Sequence, residues 1–294
     1  MVVPIVFVSD NNYVPYAATA IQSIKAQASA KDEYFIYVLH DSLAEENQRL
    51  IMLANTKAFS VECIDISEKT EKFIQKLYVH SHFTREMYYR WFIPELFPQY
   101  DRILYLDCDL VANSNLAVLI GENLENKPIG AVYNILNTTN RRRVQEKVNL
   151  KCDNYVNSGV LLFDTVKFTE QNILSKCFEL ATNANTAHLG CPDQDILNIV
   201  CENNIHLLPD EYNVQWHHLW DSENELNGLE YERFIRSLAN MKILHFTSGV
   251  KPWFESQKRM AYYFWQHAVK TPFFSMILTE GKSRYAAKFF NQKH

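Results

Sequence analysis

Short apolar segments alternate with amphipathic segments along most of this chain, and several apolar segments end abruptly in polar residues. Runs of this length and composition are typical of buried β-strands. Such strands are predicted at Pro4–Val8, Tyr34–Leu39, Val61–Ile66, Arg102–Leu106, Ile129–Val132, Val160–Phe163, His206–Leu208 and Ile243–Phe246. Alternation of strands and helices indicates an α/β fold with a mostly parallel sheet, in which ligands bind beyond the carboxyl ends of the strands.

Segments with helical spacing of their apolar residues separate these strands. One helix is predicted to begin at Pro15. Another is predicted from Ser42 to about Leu53, because Ser42 and Glu45 have the spacing of a capping box. Further helices are predicted at Thr84–Leu96, Val166–Thr182, Gln194–Glu202 and Ser256–His267.

The composition argues against several classes of protein. With 47% hydrophobic residues among 294, the chain has enough apolar material for a large core, unlike a disordered protein. The net charge of −5 gives no case for nucleic-acid binding. Only 7 glycines are present, and neither a dinucleotide-binding glycine motif nor a P-loop occurs. No apolar run reaches the roughly 18 residues of a membrane-spanning helix.

The cysteines and the N-terminal segment predict a cytoplasmic location. The 6 cysteines lack the CxxC spacing of a zinc site. The apolar run at the N-terminus lacks a preceding basic region and is too short for a signal peptide. The cysteines are therefore expected to be mostly buried thiols in a reducing compartment.

Positive charge is concentrated at the C-terminal end. Residues 251–294 contain eight Lys and Arg against two acidic residues, which gives 8 − 2 = +6, whereas the first 250 residues carry 21 − 32 = −11. The predicted division is a body of residues 1–254 and a helical, basic and aromatic segment of residues 255–294. Such a segment suits an anionic membrane surface. The alternative is a terminal helix that packs on the body.

Two aspartates, Asp107 and Asp109, follow the strand Arg102–Leu106 and flank Cys108. Carboxylates at positions i and i+2 lie on the same side of an extended strand, so both can bind one cation where the strand ends. Hard oxygen ligands suit Mg²⁺ or Mn²⁺, which commonly bridge phosphate oxygens. The alternative for so short a motif is a pair of turn-forming aspartates.

A histidine and a lysine follow another predicted strand. His245 comes at the end of this apolar run, and Lys251 lies six residues later. A neutral imidazole is a common metal ligand, and an ammonium group neutralises phosphate charge. Together with the aspartate pair, this spacing favours His245 as a third metal ligand over a histidine satisfied within the core.

Polar residues after the first strand and an arginine among aromatic residues are further candidates. Asp10, Asn12 and Tyr13 could contact a base or a ribose, and the alternative is an ordinary Asx-rich turn. Arg90 lies in an aromatic helix, where a buried guanidinium usually needs an anionic partner. That partner is either a structural carboxylate or a group of the ligand.

Three other polar clusters are less specific. Asn157-Ser158-Gly159 interrupts an apolar run, and Asp193-Gln194-Asp195 opens a helix. Both clusters suit the hydroxyl groups of a sugar, although Asp193 also fits an N-cap. The run Arg141-Arg142-Arg143 is interpreted as a solvated basic patch.

The order and separation of these segments resemble glycosyltransferase family 8, whose members include bacterial lipopolysaccharide galactosyl- and glucosyltransferases and glycogenin. The resemblance covers most of the chain. It rests on IVFVSDNNY at 5–13, Arg90, YLDCDLV at 105–111, VNSGVLLFD at 156–164, DQDILN at 193–198 and HFTSGVKPW at 245–253. One departure is Ser248, which stands where many relatives have glycine.

The resemblance implies a GT-A fold and a retaining transfer of galactose or glucose from a UDP-sugar to a saccharide acceptor. It implies Mn²⁺, with Mg²⁺ as the alternative ion, held by Asp107, Asp109 and His245. The uridine and diphosphate would be contacted by Val8, Asp10, Asn12, Tyr13, Cys108, Ser248 and Lys251. The donor sugar would be contacted by Arg90, Asn157 and Asp193, and Gln194 would lie beneath the anomeric carbon.

Gln194 and Asp193 are the candidate catalytic residues. An amide is a poor nucleophile, so we expect the acceptor hydroxyl to attack from the face that the leaving phosphate vacates, with that phosphate as the base. The basic tail, GKSRYAAKFF at 281–290, resembles the membrane-associating tail of the lipopolysaccharide enzymes. This favours a lipopolysaccharide or lipooligosaccharide core as acceptor and a peripheral position on the inner face of the cytoplasmic membrane.

Two alternative functions are compatible with parts of the sequence. DCDLV at 107–111 fits the nucleophile loop of a phosphatase of the haloacid dehalogenase type. That assignment leaves the other segments unexplained. A non-catalytic protein that binds nucleotide sugars is the second alternative, and it would require the loss of a catalytic group.

Overall fold

The computed structural model describes residues 1–75, 77, 85–150, 155–183, 186–220 and 225–281. A central seven-stranded sheet consists of β1 (Val2–Val8), β2 (Glu33–His40), β3 (Phe59–Asp65), β4 (Arg102–Leu106), β6 (Ile129–Tyr133), β7 (Val156–Asp164) and β8 (Ile205–Leu208). Their order across the sheet is β3-β2-β1-β4-β7-β6-β8. Neighbouring strands are parallel except at β7, which is antiparallel to β4 and β6. The predicted mostly parallel sheet is therefore confirmed, with one reversed strand.

Three short strands form a second sheet, and the first of them comes directly after β4 in the chain. This sheet contains β5 (Leu110–Ala112), β9 (Val214–Gln215) and β10 (Ile243–His245), in the order β5-β10-β9. Neither β5 nor β9 is predicted from the sequence. Antiparallel pairing of β10 with β5 places His245 opposite Leu110, the residue after Asp109. This pairing brings the distant histidine to the end of β4.

Helices cover the sheets and connect their strands. The α-helices include α1 (Val14–Gln27), α2 (Glu45–Ile51), α3 (Ser67–Ile74), α4 (Ile93–Leu96), α5 (Ala117–Ile120), α6 (Thr138–Arg143), α7 (Thr165–Glu170), α8 (Ile173–Asn183), α9 (Pro192–Val200), α10 (Gly228–Ala239) and α11 (Tyr262–Ala268). Pro15 lies in the first turn of α1, where its missing N–H costs no helical hydrogen bond. None of the helices in the described residues is long and apolar enough to cross a bilayer.

The alternation of side chains along the strands separates two hydrophobic cores. Ile5 and Phe7 pack with α1 in one core, whereas Val6 belongs to the core that contains Trp91 and Phe163. All five side chains are fully buried. A strand that is buried on both faces has a continuous apolar sequence, which explains why the sequence predicts β1.

Three predicted helices differ in the structure. The segment from Arg85 to Phe92 is a 3₁₀-helix that continues into α4, and Thr84 lies outside the described residues. The predicted helix Val166–Thr182 is divided between α7 and α8 at Asn172, which has a φ of 55°. The predicted helix at Ser256 begins only at Tyr262, since residues 256–261 form turns.

The predicted capping box at Ser42 is wrong. The N-cap of α2 is Ala44, and the Ser42 hydroxyl donates to Asp41 Oδ1 at 2.7 Å. The segment before α2 is held by Asn11 instead. Its Oδ1 accepts from the backbone N–H of Ala44 at 2.9 Å, and its Nδ2 donates to the Ser42 carbonyl at 2.9 Å.

Residues 255–281 pack on the first core. Phe264, Phe273 and Ile277 are buried in it, and a helix at 274–281 ends the described chain. Tyr16 of α1 stacks on Trp253, with ring centroids 3.7 Å apart, and its hydroxyl donates to Glu280 Oε2 at 2.6 Å. Residues 282–294, which hold most of the predicted basic tail, lie outside the described residues.

Candidate active site

A cleft of about 1220 Å³ opens where β1, β4 and the second sheet end. Among the predicted site residues, the cleft is lined by Asn12, Tyr13, Asp107, Asp109, Asn157, Gln194, His245, Ser248 and Lys251. Segments far apart in sequence contribute to it, as expected for a site beyond the carboxyl ends of strands. Five predicted site residues do not line the cleft and lie behind the residues that do: Val8, Asp10, Arg90, Cys108 and Asp193.

Asp107, Asp109 and His245 converge at the floor of the cleft. Their ligand atoms all lie within 4.8 Å of one another. His245 Nε2 is 3.1 Å from Asp109 Oδ1 and 3.7 Å from Asp107 Oδ2. Two carboxylates and an imidazole are a suitable donor set for a divalent cation, so these side chains form a candidate metal site.

Lys251 lies directly beside this cluster. Its Nζ donates to Asp109 Oδ2 at 2.5 Å and to the Phe246 carbonyl at 2.7 Å. Burial alone would raise the pKa of Asp109, but the Lys251 ammonium and the His245 imidazole lower this pKa well below its usual range. Asp109 is consequently a carboxylate that is available to a cation throughout the physiological pH range.

Arg90 joins two acidic residues of the site from below. Its Nη2 is 3.2 Å from Asp107 Oδ1, and its Nε is 3.2 Å from Asp193 Oδ2. Nη1 also donates to the carbonyl and the hydroxyl of Ser158, at 2.8 and 2.9 Å. Arg90 is only 7% exposed. Of the two partners that the sequence left open, the structure therefore shows a structural ion pair.

Burial and the neighbouring arginine have opposite effects on the pKa of Asp193. Burial raises the pKa of Asp193 above its usual range, and the Arg90 guanidinium opposes that effect. Asp193 is not the N-cap of α9, since that position is held by Cys191. The alternative of a simple helix cap is thus wrong for Asp193.

The loop after β1 has the geometry of an Asx turn. Asp10 Oδ1 accepts from the backbone N–H groups of Asn12 and Tyr13, at 3.0 and 2.7 Å. Cys108 Sγ donates to the Val8 carbonyl at 3.0 Å, which joins this loop to the aspartate pair. Asp10 thereby shapes the loop, and the side chains of Asn12 and Tyr13 reach the cleft.

Gln194 is held in place by the cluster around Asn157. Its Oε1 accepts from Asn157 Nδ2 at 3.1 Å and from the Ser158 backbone N–H at 3.0 Å. Its Nε2 donates to the Tyr155 hydroxyl at 2.8 Å. Neither Tyr155 nor Asn213 is predicted from the sequence, although Asn213 contacts both Asn157 and His245. No periodicity or short motif singles out either residue.

The run Arg141–Arg143 is not the predicted solvated patch. Arg141 forms an ion pair with Glu230, and Arg143 Nη1 is 2.8 Å from Asp195 Oδ2. Arg142 alone is exposed. The two carboxylates are buried and lie far along the chain, so the local sequence carries no sign of these pairs.

Comparisons with known proteins identify the family of this chain. The model of the family described as glycosyl transferase family 8 matches residues 4–257. The lipopolysaccharide 1,3-galactosyltransferase of Salmonella typhimurium is 26% identical over 300 residues, covering 97% of this chain and 85% of that protein.

Solved structures show the same fold. The bifunctional glycosyltransferase WbbM superposes with a TM-score of 0.82 at 25% identity, over 95% of this chain and 51% of WbbM. An active site mutant of LgtC superposes with a TM-score of 0.75 at 21% identity, over 92% of this chain and 96% of LgtC. The fold is the predicted GT-A fold. The chain belongs to glycosyl transferase family 8.

Proposed function

We propose that this protein is a retaining, Mn²⁺-dependent transferase that moves galactose or glucose from a UDP-sugar to a saccharide acceptor. One observation carries the proposal. Within the fold of a glycosyltransferase family, two carboxylates and an imidazole converge in the cleft, next to a lysine. A cation bound by these ligands, together with the lysine, would stabilise the negative charge that develops on a departing nucleoside diphosphate.

The residues around the cation site support a diphosphate at this position. When bound by Asp107, Asp109 and His245, a divalent cation would act as a Lewis acid toward the leaving diphosphate. Lys251 adds a second positive charge within 2.5 Å of Asp109. Arg90 keeps Asp107 and Asp193 in fixed orientations, so the site is organised before substrate binds.

The loop after β1 supports a uridine at one end of the cleft. Tyr13 is 43% exposed and can stack on a base, and Asn12 lies beside it as a polar contact. Asp10 and Val8 act from behind, by shaping the loop through the Asx turn and the Cys108 contact. Ser248 has a positive φ and stands where many relatives have glycine. It lines the cleft near Lys251.

At the sugar, we assign Gln194 to the position beneath the anomeric carbon, with Asn157 and Asp193 beside it. A Gln amide whose oxygen already accepts two hydrogen bonds is a poor nucleophile. This supports attack by the acceptor hydroxyl on the face that the diphosphate leaves, with a phosphate oxygen taking the proton. A covalent glycosyl adduct on Gln194 or Asp193 in a trapping experiment would contradict this assignment.

We further propose a lipopolysaccharide or lipooligosaccharide core as the acceptor. The similarity to the lipopolysaccharide 1,3-galactosyltransferase of Salmonella typhimurium supports this acceptor class. The excess of positive charge in residues 255–294 supports peripheral binding to the inner face of the cytoplasmic membrane. The division of the chain at residue 254 belongs to the same proposal.

The membership in glycosyl transferase family 8 argues against the phosphatase alternative, because the matched region extends over residues 4–257 and contains every segment that the phosphatase assignment leaves unexplained. A measurement of turnover distinguishes the proposed transferase from the alternative, a non-catalytic protein that binds nucleotide sugars. Binding of a UDP-sugar without any release of UDP, with or without acceptor, would favour it.

The test is release of UDP from a panel of UDP-sugars, measured with Mn²⁺ and with EDTA. We expect slow hydrolysis of one donor in the presence of Mn²⁺ and none with EDTA. Asp109→Asn should abolish this hydrolysis, whereas Asp101→Asn, at an exposed aspartate just before β4, should leave it unchanged. Equal hydrolysis with and without EDTA would overturn the metal-dependent mechanism.

A further inference from the structure

A hydrogen-bonded row of side chains connects the candidate metal site to the sugar end of the cleft. The pairs in contact are His245 Nδ1 with Asn213 Oδ1 at 2.9 Å, Asn213 Nδ2 with Asn157 Oδ1 at 2.8 Å, and Asn157 Nδ2 with Gln194 Oε1 at 3.1 Å. Asn213 is 3% exposed and Gln194 is 7% exposed. Water therefore competes little with these bonds, and each donor needs an acceptor opposite it.

Backbone N–H groups determine the direction of this row. The Gly159 N–H donates to Asn157 Oδ1 at 3.0 Å, and the Ser158 N–H donates to Gln194 Oε1 at 3.0 Å. A backbone N–H can only donate, so the atoms that face these two groups must be carbonyl oxygens. The orientations of the Asn157 and Gln194 amides follow from the main chain and do not depend on a choice between oxygen and nitrogen.

The orientation then passes from Asn157 to the metal ligand. Since Asn157 Oδ1 is an acceptor, the Asn213 atom that faces it must be the donor Nδ2. The other terminal atom of Asn213 is accordingly the oxygen, and it faces His245 Nδ1 at 2.9 Å. His245 must carry a proton on Nδ1 to make this bond, which leaves Nε2 as the nitrogen that faces Asp107 and Asp109.

At the Gln194 end of the row, the amide nitrogen Nε2 donates to the hydroxyl oxygen of Tyr155. Tyr155 uses its one hydroxyl proton in a hydrogen bond to the carboxylate of Asp195, and Arg143 Nη2 donates to the Tyr155 oxygen at 3.0 Å. The Tyr155 oxygen can then only accept from Gln194 Nε2. Both ends of the Gln194 amide are thus fixed, and its oxygen is occupied by Asn157 and Ser158.

We propose that Asn213 is a positioning residue for the metal site. Asn213 fixes the Nδ1–H tautomer and the ring orientation of His245. Asn157 in turn fixes the orientation of the Asn213 amide, and Asn157 also holds Gln194. The proposal deepens the proposed function, on which its cation-binding part rests. Groups that orient a metal-ligating histidine typically change metal affinity by about 10–100-fold when they are removed.

The first experiment detects the histidine proton directly. In protein labelled with ¹⁵N-histidine and saturated with Mg²⁺, a diamagnetic probe, we expect His245 to show an exchange-protected proton on Nδ1. Asn213→Ala should remove this protection and weaken Mn²⁺ binding, measured by titration calorimetry, by about 10–100-fold. Asn115→Ala, which removes an Asn amide that caps a turn at Ala117 in another region of the fold, should leave both measurements unchanged.

Asn213→Asp separates orientation from a general loss of packing. Aspartate keeps an acceptor for His245 Nδ1 but has no donor for Asn157 Oδ1. We expect this variant to retain the Nδ1 proton and to bind Mn²⁺ within a few-fold of the wild type, while kcat falls and the donor KM changes little. A role in packing alone would instead make the alanine and aspartate variants alike in Mn²⁺ affinity.

Two results would overturn the proposal: a wild-type His245 proton on Nε2 only, or Mn²⁺ affinity in Asn213→Ala within twofold of wild type. If the wild type binds Mn²⁺ but transfers no sugar, the proposed function fails. The proton and affinity measurements then still decide the role of Asn213, because neither depends on turnover.

Discussion

Gly159 lies so close to His245 that a β-carbon on residue 159 would be 2.3 Å from His245 Cε1. The same β-carbon would be 2.6 Å from Asp107 Oδ2. Contacts this short cannot be accommodated without displacement of His245 or Asp107. Glycine at this point of β7 is thus required by the close approach of the candidate metal site to the central sheet.

We expect Gly159→Ala to weaken Mn²⁺ binding by at least about tenfold, because it displaces His245 or Asp107 from the converging arrangement. Titration calorimetry measures this affinity. Gly228→Ala is the matched control, since a β-carbon there meets nothing within 4 Å and Mn²⁺ affinity should not change. Unchanged affinity in both variants would argue against cation binding at this cluster.

Arg90→Lys should reduce kcat/KM by about a hundredfold, because a lysine cannot hold Asp107 and Asp193 at the same time. The variant keeps the positive charge, so the loss would report geometry. Steady-state assays with donor and acceptor measure the change.

Arg233→Lys provides the control for loss of an arginine fork. Arg233 contacts both oxygens of Asp210, at 2.5 and 2.7 Å, but its side chain is 31% exposed. A partly solvated pair contributes about 1 kcal/mol or less, so this variant should retain activity and nearly all of its stability. Equal losses in the two variants would indicate that Arg90 serves only folding.

The sequence was sufficient for the parts of the fold that depend on local pattern. β1 consists of seven apolar residues and β4 of four that follow Arg102, and the sequence predicts both strands close to their observed bounds. β5 and β9 have only three and two residues, too few for any periodicity to be visible. The reversed direction of β7 depends on which strands it joins, which a single strand's sequence does not encode.

The site divides in the same way between local motifs and long-range contacts. Asp107 and Asp109 could be found because they follow a strand at a recognisable spacing. Asn213 and Tyr155 could not, because their importance comes from hydrogen bonds to residues 32 and 40 positions away. The ion pair of Arg143 cannot be predicted for the same reason, since its carboxylate partner lies in α9.

Tyr155→Phe removes the acceptor that holds Gln194 Nε2, and we expect kcat to fall by about tenfold with little change in the donor KM. The measurement is steady-state transfer together with the melting temperature. Tyr133→Phe is a close match, because Tyr133 also donates to a buried carboxylate, Glu230, that is paired with an arginine. It should lower the melting temperature similarly and leave kcat unchanged.

The basic tail is tested by removal of residues 282–294 alone. This deletion removes four of the eight Lys and Arg of residues 251–294, namely Lys282, Arg284, Lys288 and Lys293. We expect weaker sedimentation with anionic liposomes, since each cation near such a surface contributes about 1 kcal/mol. Hydrolysis of the UDP-sugar should be unchanged, because every described residue that lines the cleft is kept.

The position of the cut is decided by Glu280, which accepts the hydrogen bond from Tyr16. Tyr16 stacks on Trp253, two residues after Lys251, so a shorter chain that lacked Glu280 would also disturb the loop that carries the lysine. Glu280→Gln in the full chain tests that second effect, with an expected rise of a few-fold in the donor KM and normal liposome binding. If deletion of 282–294 leaves liposome binding intact, the membrane proposal is wrong, whatever the result for Glu280→Gln.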